Sequence, residues 1–357
     1  MINRKEISTD WINKVSKDNR NADKILIEKV IRALLLVEGL AKLKLPFVFK
    51  GGTALMLHLN TTKRLSIDVD IILSTIPGNL KDSLDFVVKE QGFIRKELQH
   101  RNTQSKIKKE HYKFYYTPFH KSKQEEEYVL LDILFEKINY NRVVKIPVQS
   151  KFIPNQGDAI LVDVPSLEDL LGDKLTAFAP NTTGIPYLKK EDSMSMEIIK
   201  QLYDIGNLLD VVVDAAVIKS TFYRFAKTEL AYREQTEITG KNILEDIYQT
   251  SLCIVTRGVD GKGDFKQLQI GIQRVKGFIF SESYQIEKAI IHASKAAYVS
   301  MVILYDVKTI EKFKDPMILK DWVIVEPMNT KLNKLKKSNP EAFFYWYKIY
   351  EILNLKK

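Results

Sequence analysis

Phe47-Val48-Phe49-Lys50-Gly51-Gly52-Thr53-Ala54-Leu55 and, a little further on, Arg64-Leu65-Ser66-Ile67-Asp68-Val69-Asp70 decide the fold of this chain. The short apolar run ending in two glycines reads as a strand and a tight turn. Thr53 then caps a helix through Leu55, Leu57 and Leu59. Ile67–Leu73 is β-branched and alternates with acidic positions, which predicts a second strand. On such a strand Asp68 and Asp70 project from one face roughly 7 Å apart, with Ile67, Val69 and Ile71 packed behind them. Glycines let a phosphate approach the backbone, and the free amides of a helix start bind its oxygens. Paired carboxylates suit magnesium, which would bridge them to a nucleotide's phosphates. Singly, the glycines or the aspartates would read as an ordinary turn or a solvated sheet face; their order and spacing together point to phosphate chemistry.

Working outward, Ile27, Ile31, Leu34, Leu35 and Leu40 recur at helical spacing between Asp23 and Leu43, ahead of Pro46. A helix is expected over Leu80–Gln91, lysine-rich strands around Lys106–Tyr116, and a strand over Tyr128–Phe135. Asp132 sits in that last strand among apolar neighbours, where a carboxylate needs a partner. It reads either as a third ligand for the same metals or as a surface position on a half-buried strand. Arg64 and Ser66 read either as phosphate contacts or as an ion pair and a turn residue.

A boundary is expected near Pro165, dividing the chain into residues 1–165 and a mainly helical 166–357. Ser166 with Asp169 resembles a capping box opening a helix through Phe178. Helices follow over Glu197–Val213, Ala215–Ala231, Lys241–Val255, Phe265–Phe278, Tyr284–Val302 and Pro340–Leu353. The polar stretch Thr182–Ser195 reads as a loop in contact with solvent or substrate.

At 357 residues the chain exceeds what one core usually organises. A single cysteine, Cys253, excludes an intramolecular disulfide and a cysteine zinc site, and five scattered histidines argue against a His-rich metal site. A reducing cytoplasm fits. Asn3, Arg4, Lys5, Glu6 and Asp10 interrupt any signal peptide, and Ala33–Val37 is far short of the roughly 20 apolar residues that span a bilayer, so no membrane is expected. The net charge of +10 favours polyanionic partners such as nucleotides or RNA, or serves solubility alone. Three further features read as structural. His58 is a surface or core-edge residue. Gly258–Gly263 lacks the spacing of a phosphate-binding loop and connects two helices. Phe343–Tyr347 is a core-facing stripe in preference to a base-stacking surface.

With Gly172-Asp173-Lys174-Leu175-Thr176-Ala177-Phe178 and Lys200-Gln201-Leu202-Tyr203-Asp204-Ile205 added to the first motif, the chain resembles the abortive-infection nucleotidyltransferases of the AbiEii type, the toxins of type IV toxin–antitoxin pairs. The resemblance spans residues 51 to 205. It implies an α+β fold, with a polymerase-β-like core of mixed sheet and flanking helices followed by a helical domain. It also implies transfer of a nucleotide from a nucleoside triphosphate, in some members to the 3′ end of transfer RNA. By position, Gly51, Gly52, Thr53, Arg64, Ser66 and Lys174 would bind the nucleotide, and Asp68, Asp70 and Asp132 would hold two magnesium ions, with manganese as a substitute. The helical domain would contribute Lys174 to neutralise the triphosphate, and Asp204 to orient it or to help deprotonate the acceptor. A helix-to-helix salt bridge is the plainer reading of Lys174 and Asp204. The interval between them is long, and Gln201 stands where an acidic residue is common, so the acceptor does not carry over from any relative. A cognate antitoxin is an implied partner.

The chemistry expected is in-line attack of an acceptor hydroxyl on the α-phosphate with loss of pyrophosphate. RNA would bind through Lys106, Lys108, Lys109, Lys113, Lys189 and Lys190. A small-molecule or protein acceptor, or a non-catalytic binding module on the same scaffold, are the alternatives. Lys174→Ala is expected to weaken nucleotide use more than stability.

Overall fold

Ser8 and Asp23 each accept a backbone N–H from the turn that follows, Trp11 N at 3.2 Å and Leu26 N at 2.9 Å, and so start the first two helices, α1 (Thr9–Asp18) and α2 (Lys24–Lys42). The computed structural model describes residues 1–59, 63–99, 108–120 and 124–355. They fall into two units: Met1–Ser166 with Gly277–Ser283, and Leu167–Lys276 with Tyr284–Lys357.

In the first unit α2 is buried nearly all round from Ile27 to Leu40. Even its Glu28 lies inside, where it accepts from Arg32 and from the backbone of Phe119; burial pushes its carboxyl above the usual range against the pull of Arg32. Then come β1 (Phe47–Lys50), α3 (Gly51–His58), β2 (Val69–Leu73) and α4 (Leu80–Gln91). The last closes at Gly92, whose φ of +71° is the left-handed C-cap that glycine adopts without strain. Five strands follow: β3 (Arg95–Leu98), β4 (Lys109–Tyr116), β5 (Glu127–Phe135), β6 (Val143–Pro147) and β7 (Leu161–Pro165). All seven form one mixed sheet in the order β3-β4-β5-β2-β1-β7-β6, with β2/β5 and β1/β7 parallel and the other pairs antiparallel.

Alternation divides this sheet into two faces. Val69, Ile71, Tyr112, Phe114, Tyr116, Val129, Leu131 and Ile133 join the core with α2 and with Leu80, Leu84 and Val87 of α4. The residues between them, including Asp70, His111, Lys113 and Asp132, face the other way and are only half-buried.

The expectations for Leu80–Gln91 and for the strand ending at Phe135 match the elements formed. Two others are corrected. The strand carrying Asp70 begins at Val69, so Asp68 precedes it. Thr53 lies inside the first turn of α3 and is not its cap; the N-cap is Lys50, without a side-chain hydrogen bond. Lys106 lies outside the described residues.

The segment Gly277–Ser283 returns to the first unit from far along the chain. Phe278 O accepts Leu65 N at 2.8 Å, Ile279 bridges to Arg64, and Ser281 Oγ donates to Lys63 O at 2.8 Å. Phe280 meets Phe152 edge-on, with ring centroids 5.7 Å apart.

The second unit comprises α5 (Leu167–Ala177), a hairpin of β8 (Leu188–Lys189) and β9 (Asp192–Ser193), then α6 (Ser195–Leu209), α7 (Ala215–Tyr232), α8 (Gly240–Val255), α9 (Phe265–Arg274), α10 (Ile286–Leu304), the short α11 (Leu335–Ser338) and α12 (Pro340–Asn354). Helix α10 packs on α6, α8 and α12, and its Ala289, Ala293, Ala296 and Ala297 are fully buried, which lets neighbouring backbones come close. Its buried Lys295 pairs with Asp210 at 2.6 Å and with Glu341 at 2.8 Å. No helix among the described residues is long and apolar enough to cross a membrane.

Phe343, Phe344, Tyr345 and Trp346 of α12 are buried, as a core-facing stripe requires. Gly258 and Gly261, both at positive φ, turn the chain between α8 and α9. The stretch Thr182–Ser195 is more ordered than an open loop. Its start is clamped by Asp246, which accepts from Asn181 and Thr182, and the β8–β9 hairpin carries Lys189 and Lys190 at an exposed tip.

Helices α5 and α7 meet at Gly172. A Cβ there would come within 2.8 Å of Thr221 Cβ and 2.9 Å of Ile218 O. Beside it, the buried Asp169 accepts the hydroxyl of Thr221. Gly172→Ala should therefore force the helices apart and lower stability by about 1–3 kcal/mol. Denaturant unfolding measures this, and an unchanged midpoint would show that α7 can yield.

Candidate active site

Strand β1 passes into α3 with no intervening loop. That sharp change of direction is made at Gly51, whose φ is +80°. A side chain there would be strained by the backbone and would also overlap Asp70 Oδ2. The next residue is just as confined: a Cβ on Gly52 would lie 2.6 Å from Ser66 Oγ and 2.7 Å from Arg64 Nη2. Both glycines thus give backbone access where polar side chains of the 64–70 segment crowd in. The first N–H groups of α3 have no acceptor within the helix.

Thr53 Oγ1 donates to Asp68 O at 2.6 Å and ties the first turn of α3 to the residue before β2. Arg64 is buried, donates to Leu65 O at 3.1 Å, and is backed by the Phe278–Ile279 strand bridge. Gly51, Gly52, Thr53, Arg64, Ser66, Asp68 and Asp70 are therefore one neighbourhood.

Strand register extends it. Lys50 on β1 pairs with Asp70 on β2, Asp70 with Asp132 on β5, and Asp132 with His111 on β4. Residues directly opposite share a face, so Lys50, Asp70, Asp132 and His111 form a row across four strands on the half-open face. Asp132 has the partner its surroundings require, since His111 Nδ1 donates to its Oδ1 at 2.6 Å. Neighbouring strands lie about 4.8 Å apart, and two ionised carboxylates at that spacing repel by roughly 1 to 3 kcal/mol for effective dielectric constants between about 80 and 20. Negative charge gathered at this spacing favours a cation.

Among the described residues, no group of three or more His, Cys, Asp or Glu side chains is arranged to hold a metal ion. The trio Asp68, Asp70 and Asp132 is thus not drawn together as one ligand set. The in-register pair Asp70 and Asp132 still fits magnesium, which commonly takes one or two carboxylates and completes its shell with water and substrate phosphate.

Lys174 and Asp204 belong to the second unit. Lys174 Nζ on α5 contacts Asp204 Oδ2 on α6 at 2.6 Å and donates to Gln201 Oε1 at 3.3 Å, and both charged side chains are buried. Gln201, in place of an acid, adds a neutral acceptor to the ammonium. Lys50 and His111 were missed by sequence reasoning. Lys50 abuts the glycines and was open to notice, whereas His111 is tied to Asp132 only by strand register.

The model of the family described as "Nucleotidyl transferase AbiEii toxin, Type IV TA system" matches residues 34–270. No curated protein matches the chain. Among solved structures, JHP933 from Helicobacter pylori is similar at 15% identity, covering 80% of this chain and 94% of that one, with a TM-score of 0.43. An antigenic nucleotidyltransferase-like protein from Paracoccidioides brasiliensis is similar at 13% identity, covering 60% of this chain and 95% of its own, with a TM-score of 0.33. Scores this low carry no weight for the site.

Gly51→Ala should lose about 1–3 kcal/mol of stability through its left-handed φ and the overlap with Asp70. Adding Asp70→Gly should recover the overlap part and leave the backbone part, as thermal unfolding would read; no recovery would mean that Asp70 does not crowd Gly51. Lys174→Ala, expected to weaken nucleotide use more than stability, should carry a stability cost of its own. Removing one partner of a buried ion pair leaves the other uncompensated, at about 3–5 kcal/mol. Lys174→Met with Asp204→Leu should come closer to wild type than Lys174→Ala does, and a double variant that is the worse of the two would contradict the buried-pair account.

Proposed function

The chain belongs to the AbiEii nucleotidyl transferase toxin family of type IV toxin–antitoxin systems, and from that premise we propose that it transfers a nucleoside monophosphate from a nucleoside triphosphate to an acceptor hydroxyl; the net charge of +10 favours RNA, at the 3′ end of transfer RNA, as that acceptor. The place of action is the cytoplasm, and a cognate antitoxin is the expected partner. The row Lys50, Asp70, Asp132 and His111 beside Gly51 and Gly52 carries this reading, because it sets paired carboxylates next to backbone that a phosphate can approach closely.

Gly51 and Gly52 admit the triphosphate, with Arg64 and Ser66 beside Gly52 as donors to its oxygens. Asp70 and Asp132 would hold magnesium, with manganese as a substitute metal. When bound, the metal stabilises charge on the attacking and leaving oxygens. The acceptor oxygen bonds to the α-phosphorus while the bond from that phosphorus to the bridging oxygen breaks, and its electron pair leaves with pyrophosphate. The acceptor's proton passes to a carboxylate. Half-exposed Asp132 suits this better than Asp204, which is buried against Lys174; that pairing supports Asp204 as the residue that orients Lys174.

The charge of +10 supports a polyanionic acceptor, with Lys108, Lys109, Lys113, Lys189 and Lys190 as phosphate contacts. A second reading, a small-molecule or protein acceptor, is favoured by one observation: Glu97 stands opposite Lys113 and Glu126 pairs with Arg95, so this end of the sheet is partly charge-compensated.

Each labelled nucleoside triphosphate, incubated with the protein and total cellular RNA, should label RNA of transfer-RNA size. Label confined to protein or small molecules would remove RNA as the acceptor. Asp70→Ala should reduce labelling to background while the melting temperature stays within about 2 °C, because a half-exposed carboxylate contributes little packing. A folded and fully active variant would overturn the role given to the paired carboxylates.

A further inference from the structure

Asp132 is held by a residue that no sequence motif marks. His111 lies directly opposite it on the antiparallel neighbour strand, and Nδ1 reaches Asp132 Oδ1 at 2.6 Å. The histidine side chain is 13% exposed and the aspartate 32%, so the pair is partly sheltered while Asp132 remains accessible. On its other side Asp132 is in register with Asp70. A flexible carboxylate beside a like charge would turn away from it toward water, and a fixed donor on the far strand prevents that rotation.

We propose that His111 is the positioning residue of Asp132: by occupying Oδ1 it fixes the carboxylate's orientation and leaves Oδ2 for the metal and nucleotide chemistry beside Asp70. This rests on the proposed nucleotidyl transfer and deepens it. The residue type suits the task. Directly opposed residues on antiparallel strands have Cβ atoms about 5 Å apart, a span that a short, rigid imidazole bridges through the ring nitrogen nearest its backbone. A lysine side chain is long and flexible and would leave the carboxylate free to turn, whereas the rigid imidazole gives its hydrogen bond in one direction. Outer groups that orient metal-binding side chains in this way commonly contribute 10- to 100-fold to affinity or activity.

The test compares His111→Ala, His111→Asn and Asp132→Asn in the full chain, with bound Mn2+ followed by electron paramagnetic resonance in the presence of a non-hydrolysable nucleoside triphosphate. Turnover is measured beside it. His111→Ala should weaken Mn2+ binding by about 10- to 100-fold and lower kcat by a similar factor, with the KM for nucleotide little changed. Asn places an amide nitrogen near the position of Nδ1, so His111→Asn should recover most of both losses, and it serves alone where His111→Ala does not fold. In an Asp132→Asn background, His111→Ala should add nothing further, because it acts only through that carboxylate. The proposal is overturned if His111→Ala keeps wild-type Mn2+ affinity and turnover, if Asn rescues no better than Ala, or if the loss persists undiminished without the Asp132 carboxylate. A wild-type chain that binds Mn2+ but transfers no nucleotide would count against the nucleotidyl-transfer assignment alone, with the Mn2+ arm still deciding the role of His111. Failure of the wild-type chain to bind Mn2+ overturns the inference.

Discussion

The carboxylate of Asp70 rests against the α-carbon of Gly51, at a place where any side chain would collide with it. Because Lys50 and Asp70 are register partners, β1 must end where it does for this contact to form, and the left-handed φ of Gly51 must then turn the chain directly into α3. Thr53 can reach the backbone of Asp68 only from that helix start. The same register, carried through β2 to β5 and β4, aligns Asp132 with Asp70 and His111 with Asp132. The strand ending, the helix beginning and the row of charges on the open face therefore meet at one close approach between backbone and carboxylate.

How much of this was legible in the sequence follows the range of the interactions. Local patterns carry α2, α4, β5 and the helices after Pro165, because periodicity, caps and breakers act within a turn or two. Leu80–Gln91 is an example, with apolar spacing inside and Gly92 at its end. The short, charged β3 has no apolar alternation to mark it, and β6, though β-branched at Val143, Val144 and Ile146, lacks the alternation of a half-buried strand. Thr53 looked like a cap because threonine before a helix commonly is one, yet Gly51 turns the chain two residues earlier. His111 lay beyond reach for a different reason: its meaning depends on which residue stands opposite, and strand register across a long connection is not a local property.

The two charged pairs that attract notice have different physical characters. Asp132 and His111 sit on a half-open sheet face, where solvent and ligands can compete for them. Lys174 and Asp204 are sealed between α5 and α6, so their separation leaves charges with little water to receive them. Lys295 of the same helical unit is buried too, but its partners Asp210 and Glu341 remain 44% and 29% exposed, so that cluster is open to water on its acidic side. A lysine–aspartate match to a family motif thus coincides here with a bond the helices also use to hold together.

The return of Gly277–Ser283 to the first unit bears on how the protein comes into being on the ribosome. The amide of Leu65, next to Arg64, finds its acceptor only at Phe278, and Phe152 meets the ring of Phe280. When Ser166 has been polymerised, every strand of the sheet already exists, but the segment that braces Arg64 is 117 residues away, counting from 166 to 283. At translation speeds of about 5–20 residues per second that is a delay of roughly 6 to 23 seconds. A nascent or prematurely terminated chain cannot brace this segment, so a toxin of this architecture completes the neighbourhood of Gly51, Gly52 and Arg64 only late in its own synthesis.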